Sequence, residues 1–415
     1  MPIQGIRGFK DILPGEIEKW RFIEEEARRI FGLFGFAELR IPLLERTELF
    51  ARSIGEATDI VGKEMYTFFD RDGESLTLRP EATASIMRAY LEHGLFIREP
   101  VGKYYFIGPM FRHERPQKGR FRQFHQIDAE FLGLSEARAD AEILAMLMDY
   151  LQGLGLRNLD LQINSLGCPA CRAPYKKEIQ AFLLRGRESL CPDCQRRLET
   201  NPLRIFDCKR EDCQKALSGA PVVLDFLCPE CLRHFEQVRT MLDDLGLPYT
   251  LNPRLVRGLD YYTRTAFEVV AGDLGAQNAV CGGGRYDGLA EEIGGPPVPG
   301  IGFAIGMERL ITLLGEKGEL VRRPRVFLAL LGEAAWRRGF ILARDLRAAG
   351  IWTELDYEGK SLKSQMRRAD RLGSRFVVIL GEEELRRERA VLRDLAAKTQ
   401  EEVPLSEIVG KVKGD

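Results

Sequence analysis

Apolar residues recur at helical spacing over residues 14–34, where Ile17, Trp20, Ile23, Ala27, Ile30 and Phe31 share one face. The spacing predicts a helix opened by Pro14 and closed by Gly32 and Gly35. Phe36–Ile41 then reads as a strand ended by Pro42. Met65–Phe69 and Ser75–Leu78 read as two strands, with the turn signal Asp72-Gly73 between them. A helix is expected from Pro80 to His93, strands at 101–107 and 124–132, and a long helix over 138–152. Strand-rich sequence resumes at Arg257 and ends in a helix over Met307–Leu314. Beyond a charged linker, Glu316–Pro324, the pattern changes. Strands at Val326–Leu331, Ile351–Leu355 and Phe376–Leu380 alternate with helices at Glu333–Ala349 and Ser361–Leu372. That alternation predicts a small α/β domain with a mainly parallel sheet.

Hydrophobic residues make up 45% of the 415 and charged residues 30%, a balance that supplies cores for two to three domains. The longest uncharged run, Ile293–Met307, is too short and too rich in glycine and proline to span a bilayer. The first residues hold no apolar leader. No membrane role and a cytoplasmic setting are therefore expected. Net charge is −1, so any nucleic-acid contact must come from local patches. Residues 322–415 carry twenty Lys or Arg against fifteen Asp or Glu, which gives that part +5 and the remainder −6. A basic C-terminal domain on an acidic body is the charge footprint of nucleic-acid binding.

Two blocks carry candidate chemistry. The stretch 112–126 places Arg112, Arg115, Arg120 and Arg122 within eleven residues, between strand-like flanks. It reads as a hairpin with a basic loop, and guanidinium forks match phosphate oxygens. The stretch Gly300–Leu310 runs from apolar strand through glycines into a helix that carries Arg309. Glycine there permits close approach of another group, and helix N-termini favour anions.

Together these blocks resemble the class II aminoacyl-tRNA synthetases. Pro42, after the first helix and strand, matches that family's dimer-interface motif. Two further segments, Leu255–Glu268 and Gly282–Leu289, resemble the histidine-specific motifs of the histidyl-tRNA synthetase family. The opening Gly5–Asp11 and the block Leu78–Thr83 match it too, with Ala82 where the family more often has Gly. The resemblance implies an α+β fold. Its parts are a class II antiparallel sheet core (1–163 and 236–315), an inserted cysteine-rich, mainly helical subdomain (164–235) and a C-terminal α/β anticodon-binding domain (325–415). It implies ligation of L-histidine to tRNA(His) through a histidyl-adenylate, with ATP and Mg²⁺, by a homodimer.

By the same resemblance, Arg112 contacts the ATP α-phosphate. Arg309 lies beside adenine and the γ-phosphate, Phe124 stacks on adenine, and Arg120 belongs to the ATP site. Arg257 meets the α-phosphate from the opposite side and holds the substrate carboxylate. Glu81, Thr83 and Gln126 hold the α-amino group, Glu130 and Tyr262 read the imidazole, and Tyr261 and Tyr286 complete the histidine pocket. Arg115, Gln117 and Lys118 meet the acceptor end of tRNA. Arg367, Arg368 and Arg371, on one helix, suit phosphate contacts. A catalytically inactive paralogue, acting as a regulatory subunit of ATP phosphoribosyltransferase, is the rival reading. A zinc-ribbon nucleic-acid binder is a weaker one.

The resemblance says nothing about the cysteines. Eight of the nine form close pairs: Cys168/Cys171, Cys191/Cys194, Cys208/Cys213 and Cys228/Cys231. Two pairs complete a four-thiolate site, so two structural zinc sites are expected, paired sequentially or interleaved. Thiols without metal, free or in disulfides, are the alternative; iron–sulfur spacing does not match. Cys281 stands alone and reads as a small buried hydrophobe.

Overall fold

The computed structural model describes residues 2–55, 58–116, 119–272, 279–315, 320 and 322–414. The chain forms two compact units, 1–317 and 318–415.

The first unit is built on an eight-stranded sheet. In spatial order its strands are Ala37–Glu38, Gly102–Phe111, Gln123–Leu132, Gly300–Gly306, Ala279–Arg285, Thr263–Ala271, Leu159–Ser165 and Thr250–Leu251. The six central strands pair antiparallel, and only the two short edge strands pair parallel. Period-two alternation divides every strand between two faces. In Gln123–Leu132, residues Ile127, Ala129 and Phe131 enter the hydrophobic core. They pack with Trp20, Ile23, Ala27 and Phe31 of the helix Ile17–Leu33, and with Ile143, Leu144, Leu147 and Leu151 of the helix Ala137–Gly153. The alternate residues Phe124, Gln126, Asp128 and Glu130 therefore project from the opposite face, which the helix Thr83–Glu92 covers only in part.

Several boundaries differ from the sequence reading. The first helix starts at Ile17, because residues 14–16 form a turn. The strand expected over 36–41 shrinks to Ala37–Glu38, since it is an edge strand that pairs only with Tyr104 and Tyr105. The helix expected from Pro80 begins at Thr83. Strand Tyr66–Phe69 pairs with Ser75–Leu78 across a five-residue loop, where Asp70 Oδ1 accepts the amides of Asp72 and Glu74.

The cysteine-rich subdomain is mainly helical. Helices Pro169–Leu184, Pro192–Thr200 and Glu211–Ala216 surround a small core of Tyr175, Ile179, Leu198 and Ile205, while Pro229–Asp244 returns to the main core through Phe235, Val238 and Leu242. The second unit has strand order Thr353–Leu355, Val326–Leu330, Phe376–Leu380, Arg389–Asp394, Thr399–Pro404. The first three run parallel and the last two antiparallel, so the sheet is mixed rather than mainly parallel. Thr399–Pro404 is almost wholly exposed, and an edge strand with little to bury carries no apolar pattern to read. Among the described residues, no helix is long and apolar enough to cross a membrane.

Candidate active site

A cavity of about 270 Å³ opens on the partly covered face of the large sheet. Its floor is a stretch of sheet cleared of side chains. Gly302, Ala304 and Gly306 pair with Glu130, Asp128 and Gln126, and Gly282 pairs with Ala304. The glycines there are a steric necessity. A Cβ on Gly302 would lie 1.6 Å from Glu130 Oε2, and one on Gly282 would lie 2.2 Å from the Arg257 guanidinium. The two glycine-containing motifs thus build one trough on adjacent strands, although about twenty residues separate them in sequence.

Arg112, Arg120, Arg257 and Arg309 all line the cavity, together with Phe124. Strand ends and the hairpin deliver the first two. Arg112 Nε donates to Pro80 O at 2.8 Å, its guanidinium stands 5.3 Å from the Phe124 ring centroid, and Arg120 pairs with Glu114 at 3.0 Å. Arg309 sits in the first turn of the helix that follows the glycine strand and donates to Ala279 O. Burial, and then repulsion from Arg120 and Arg112, pull its pKa down. A set of cations that destabilise one another is a receptor for anions. Glu308 holds the hairpin in place by accepting from His125 N at 2.9 Å. The Gly5–Asp11 segment lies against the hairpin as well, with Gly8 O accepting from Arg122 N at 2.8 Å.

Acidic and polar side chains line the same cavity. Glu81 and Thr83 line it, with Gln126, Asp128, Tyr261, Tyr262 and Glu268. Glu81 accepts from the amides of Thr83 (2.9 Å) and Ala84 (3.0 Å), which sit at the start of a helix. Burial raises the Glu81 pKa despite those bonds. Glu130 lies beside the cavity, taking bonds from Thr83 Oγ1 (2.6 Å) and from the Tyr286 hydroxyl. Burial pushes its pKa up to about 8. Tyr261 OH reaches Glu81 at 3.4 Å, and the Arg257 guanidinium stands 5.4 Å from the Tyr262 ring centroid. Gln126 Oε1, Asp128 Oδ2 and Arg257 Nε are buried without a hydrogen-bond partner among the described residues. Such atoms point to a polar ligand.

Arg115 is exposed on the hairpin loop; Gln117 and Lys118 lie outside the described residues. Ala82 has φ −103°, an ordinary value for an L-residue, so the Cβ that replaces the commoner glycine is accommodated without strain. The sequence reading missed Asp128 and gave Glu268 no role. The alternation Gln126, Asp128, Glu130 was the available signal for the first.

The eight paired cysteines gather into two quartets: Cys168, Cys171, Cys228 and Cys231, and Cys191, Cys194, Cys208 and Cys213. Within each quartet the ligand atoms lie within 4.8 Å of one another. The pairing is nested, first pair with fourth and second with third, which differs from both arrangements weighed from sequence. Cys168 Sγ is 3.6 Å from Cys171 Sγ and 4.0 Å from Cys228 Sγ. A tetrahedral zinc with sulfur at about 2.3 Å needs sulfurs about 3.8 Å apart, so the residues fit a metal ion. All nine cysteines are free thiols, and Cys281 sits in the main core.

An antiparallel sheet flanked by helices, with an arginine hairpin and a glycine strand–arginine helix on its cavity-bearing face, defines the catalytic core of a class II aminoacyl-tRNA synthetase. The family model described as histidyl-tRNA synthetase matches residues 8–169 and 211–310, and the anticodon binding domain matches 326–415. A histidine–tRNA ligase of Geobacter metallireducens is 55% identical over 99% of this chain and 100% of its own length. One of Syntrophotalea carbinolica is 55% identical over 98% and 97%. The crystal structure of the apo S. aureus histidyl-tRNA synthetase superposes with a TM-score of 0.84 at 38% identity, over 99% of this chain and all of that one. The chain belongs to the histidyl-tRNA synthetase family.

Proposed function

We propose that this enzyme joins L-histidine to tRNA(His) in two steps, using ATP and the Mg²⁺ that accompanies it. The supporting observation is a single cavity lined by Arg112, Arg120, Arg257 and Arg309 together with Glu81, Thr83, Gln126 and Tyr262, with glycines clearing its floor. In the first step a histidine carboxylate oxygen attacks the α-phosphorus of ATP, and pyrophosphate leaves. Two anions must meet, and charge builds on the phosphoryl oxygens. Arg112 and Arg257 offset that charge from opposite sides. Arg120 and Arg309 hold the outer phosphates, and Phe124 stacks on the base. Mg²⁺ entering with ATP would supply further neutralisation of the phosphate charge.

Histidine lies over the floor with its α-ammonium between Glu81, Thr83 and Gln126. Its imidazole carries one donor and one acceptor when neutral, which Glu130 and Tyr262 satisfy, with Tyr261 and Tyr286 fixing the carboxylates behind. In the second step a hydroxyl of the terminal tRNA ribose attacks the histidyl carbonyl, and AMP leaves. Arg115, with Gln117 and Lys118, guides the acceptor end there. Residues 325–415 read the anticodon. There Arg367 and Arg371 are exposed, whereas Arg368 is engaged with Asp356 at 3.6 Å. The catalytic core comprises 1–163 and 236–315, with 164–235 inserted. Two such chains pair through the segment around Pro42, and the enzyme works in the cytoplasm with its tRNA. Each cysteine quartet holds a structural zinc ion.

The regulatory-subunit reading is disfavoured, because a subunit that only senses histidine has no use for four arginines around a phosphate-sized trough. Histidine-dependent ATP–pyrophosphate exchange, measured with each of the twenty amino acids, tests the proposal. Exchange with histidine alone is expected. Histidine binding without exchange selects the regulatory reading.

Glu130→Gln separates function from stability. Burial gives Glu130 a folded pKa of about 8 against an ordinary 4.5. The folded state then holds the proton more tightly, so this group's stabilising contribution is complete below pH 4.5 and is lost as pH rises towards 8. Glutamine does not titrate. The variant should flatten the fall in stability across that window by up to about 1.4 kcal/mol per pH unit, read by denaturant titration. Its histidine-dependent exchange should drop by roughly a hundredfold or more. Unchanged exchange would remove Glu130 from the imidazole site.

A further inference from the structure

Arg257, Tyr261 and Tyr262 are delivered to the cavity by residues 253–262, a stretch of turns and bends with no helix or strand of its own. A loop of ten residues without secondary structure needs an external frame to hold three side chains in register. The core supplies part of it, with Ile54 O accepting from Asp260 N and Glu81 from Tyr261, and the cysteine-rich subdomain supplies the rest.

The outer quartet stands beside the end of this stretch. Cys168 and Cys228 sit at the N-caps of the helices Pro169–Leu184 and Pro229–Asp244, each followed by proline in the first turn. From the first of these helices, Arg172 donates to the carbonyl of Tyr262. From the turn before it, Gly167 O accepts Thr263 Oγ1 and Arg264 N, both at 3.0 Å. From the second helix, Glu230 pairs with Arg264, which itself adopts a left-handed φ of 49°. The first knuckle thus holds the backbone at Tyr262 and Arg264, and the second holds the Arg264 side chain.

The inner quartet stands beside the start. Between Cys194 and Cys208 runs the segment Pro202–Asp207. Its Arg204 donates to Gly258 O at 2.7 Å, and Asn201 donates to Asp260 Oδ1 at 2.9 Å.

We infer that the two metal-bearing quartets are a positioning frame for the Arg257–Tyr262 segment, so that metal loading sets histidine affinity. This rests on the zinc reading above and goes beyond it. The outer ion joins residues 60 positions apart, Cys168 and Cys228. It thereby fixes the spacing of the two helix starts that hold Tyr262 and Arg264. The inner ion fixes the 201–207 segment that holds Gly258 and Asp260. Residues 170–210 lie outside the residues matched to the histidyl-tRNA synthetase family model. Cys171, Arg172, Cys191, Cys194, Arg204 and Cys208 fall in that stretch, whereas Cys168, Cys213, Cys228, Glu230 and Cys231 lie within the matched residues. Arg172, Glu230 and Arg204 act as positioning residues through the segment and touch no substrate.

The test uses the full chain and four readouts: zinc per chain by mass spectrometry, histidine affinity by calorimetry without ATP, and the Michaelis constants for histidine and ATP in pyrophosphate exchange. The wild type should carry two zinc ions. Cys168→Ser should keep one and bind histidine more weakly. Arg172→Gln and Glu230→Gln leave every sulfur in place and should keep both ions. Each should weaken histidine binding and raise the histidine KM roughly tenfold, with the KM for ATP shifted about twofold or less. Fewer than one ion per chain in the wild type overturns the metal reading itself. Two ions in every Arg172→Gln and Glu230→Gln preparation, with histidine affinity unchanged, overturns the frame and leaves the metal reading standing. Should Cys168→Ser fail to fold, those two variants still decide the matter.

Discussion

Arg257→Ala is expected to lower histidine-dependent ATP–pyrophosphate exchange by roughly 10²–10³-fold, the usual cost of removing one charge-stabilising donor from a transition state. The guanidinium lies over Gly282, 3.5 Å from Glu268, with its Nε unpartnered among the described residues. Its position is dictated by room on the sheet rather than by a strong ion pair, so its loss leaves few broken bonds. The midpoint of thermal unfolding should therefore hold within a few degrees while activity collapses. Arg257→Lys should recover little, because a point charge does not reproduce a planar fork between carboxylate and phosphate. Exchange within tenfold of the wild type in Arg257→Ala would exclude this residue from the chemistry.

Arg285→Met is expected to act in the opposite sense, on folding first. Arg285 and Asp140 form an ion pair at 2.6 Å with both side chains fully buried. Arg285 also donates to Leu134 O at 2.9 Å and to Asp287 at 2.9 Å. Burial pushes Asp140 up to about 6 and outweighs the attraction of its partner, while Arg285 is held above the ordinary guanidinium range. The short, doubly buried geometry identifies a true ion pair. Asp140 faces His234 at 3.6 Å as well, but burial lowers that imidazole to about 4 and keeps it neutral. Removing Arg285 therefore strands a carboxylate with no cationic replacement, at a cost of about 3–5 kcal/mol. Denaturant unfolding measures it. Adding Asp140→Leu to Arg285→Met should return part of the loss, since an uncharged core no longer has a charge to desolvate. No recovery in the double variant would show that the carbonyl bonds, rather than the ion pair, set the cost. Histidine binding should weaken in Arg285→Met too, because the next residue, Tyr286, just past the strand's end, donates to Glu130.

The contrast between these residues shows what a motif can and cannot say. Arg257 and Arg285 stand in the two segments that resemble histidine-specific motifs, and both are arginines beside glycines. The tertiary structure separates them: Arg257 reaches over Gly282 from the loop 253–262, whereas Arg285 ends the strand Ala279–Arg285 with its side chain buried against the helix Ala137–Gly153. Period-two alternation does explain Asp128, a cavity residue between two recognised ones.

Helices were legible because their periodicity is local: Ile17–Leu33, Ala137–Gly153 and Met307–Leu314 emerge close to where the apolar spacing put them. Edge strands were less so: Ala37–Glu38 was read too long, and Thr399–Pro404, which buries only Val403, was not read at all.

From the sequence alone follow the cationic hairpin, the glycine-rich strand and helix, the cysteine pairs and the charge asymmetry between the two units. Each is a property of residues close together along the chain. Only the tertiary structure decided that Gly282 and Gly302 clear one trough, that Glu130 beside it bonds Thr83 and Tyr286, and that the first cysteine pair joins the fourth. Those are contacts between segments tens to hundreds of residues apart. Strand order and burial choose such partners, and no local pattern of side chains encodes them.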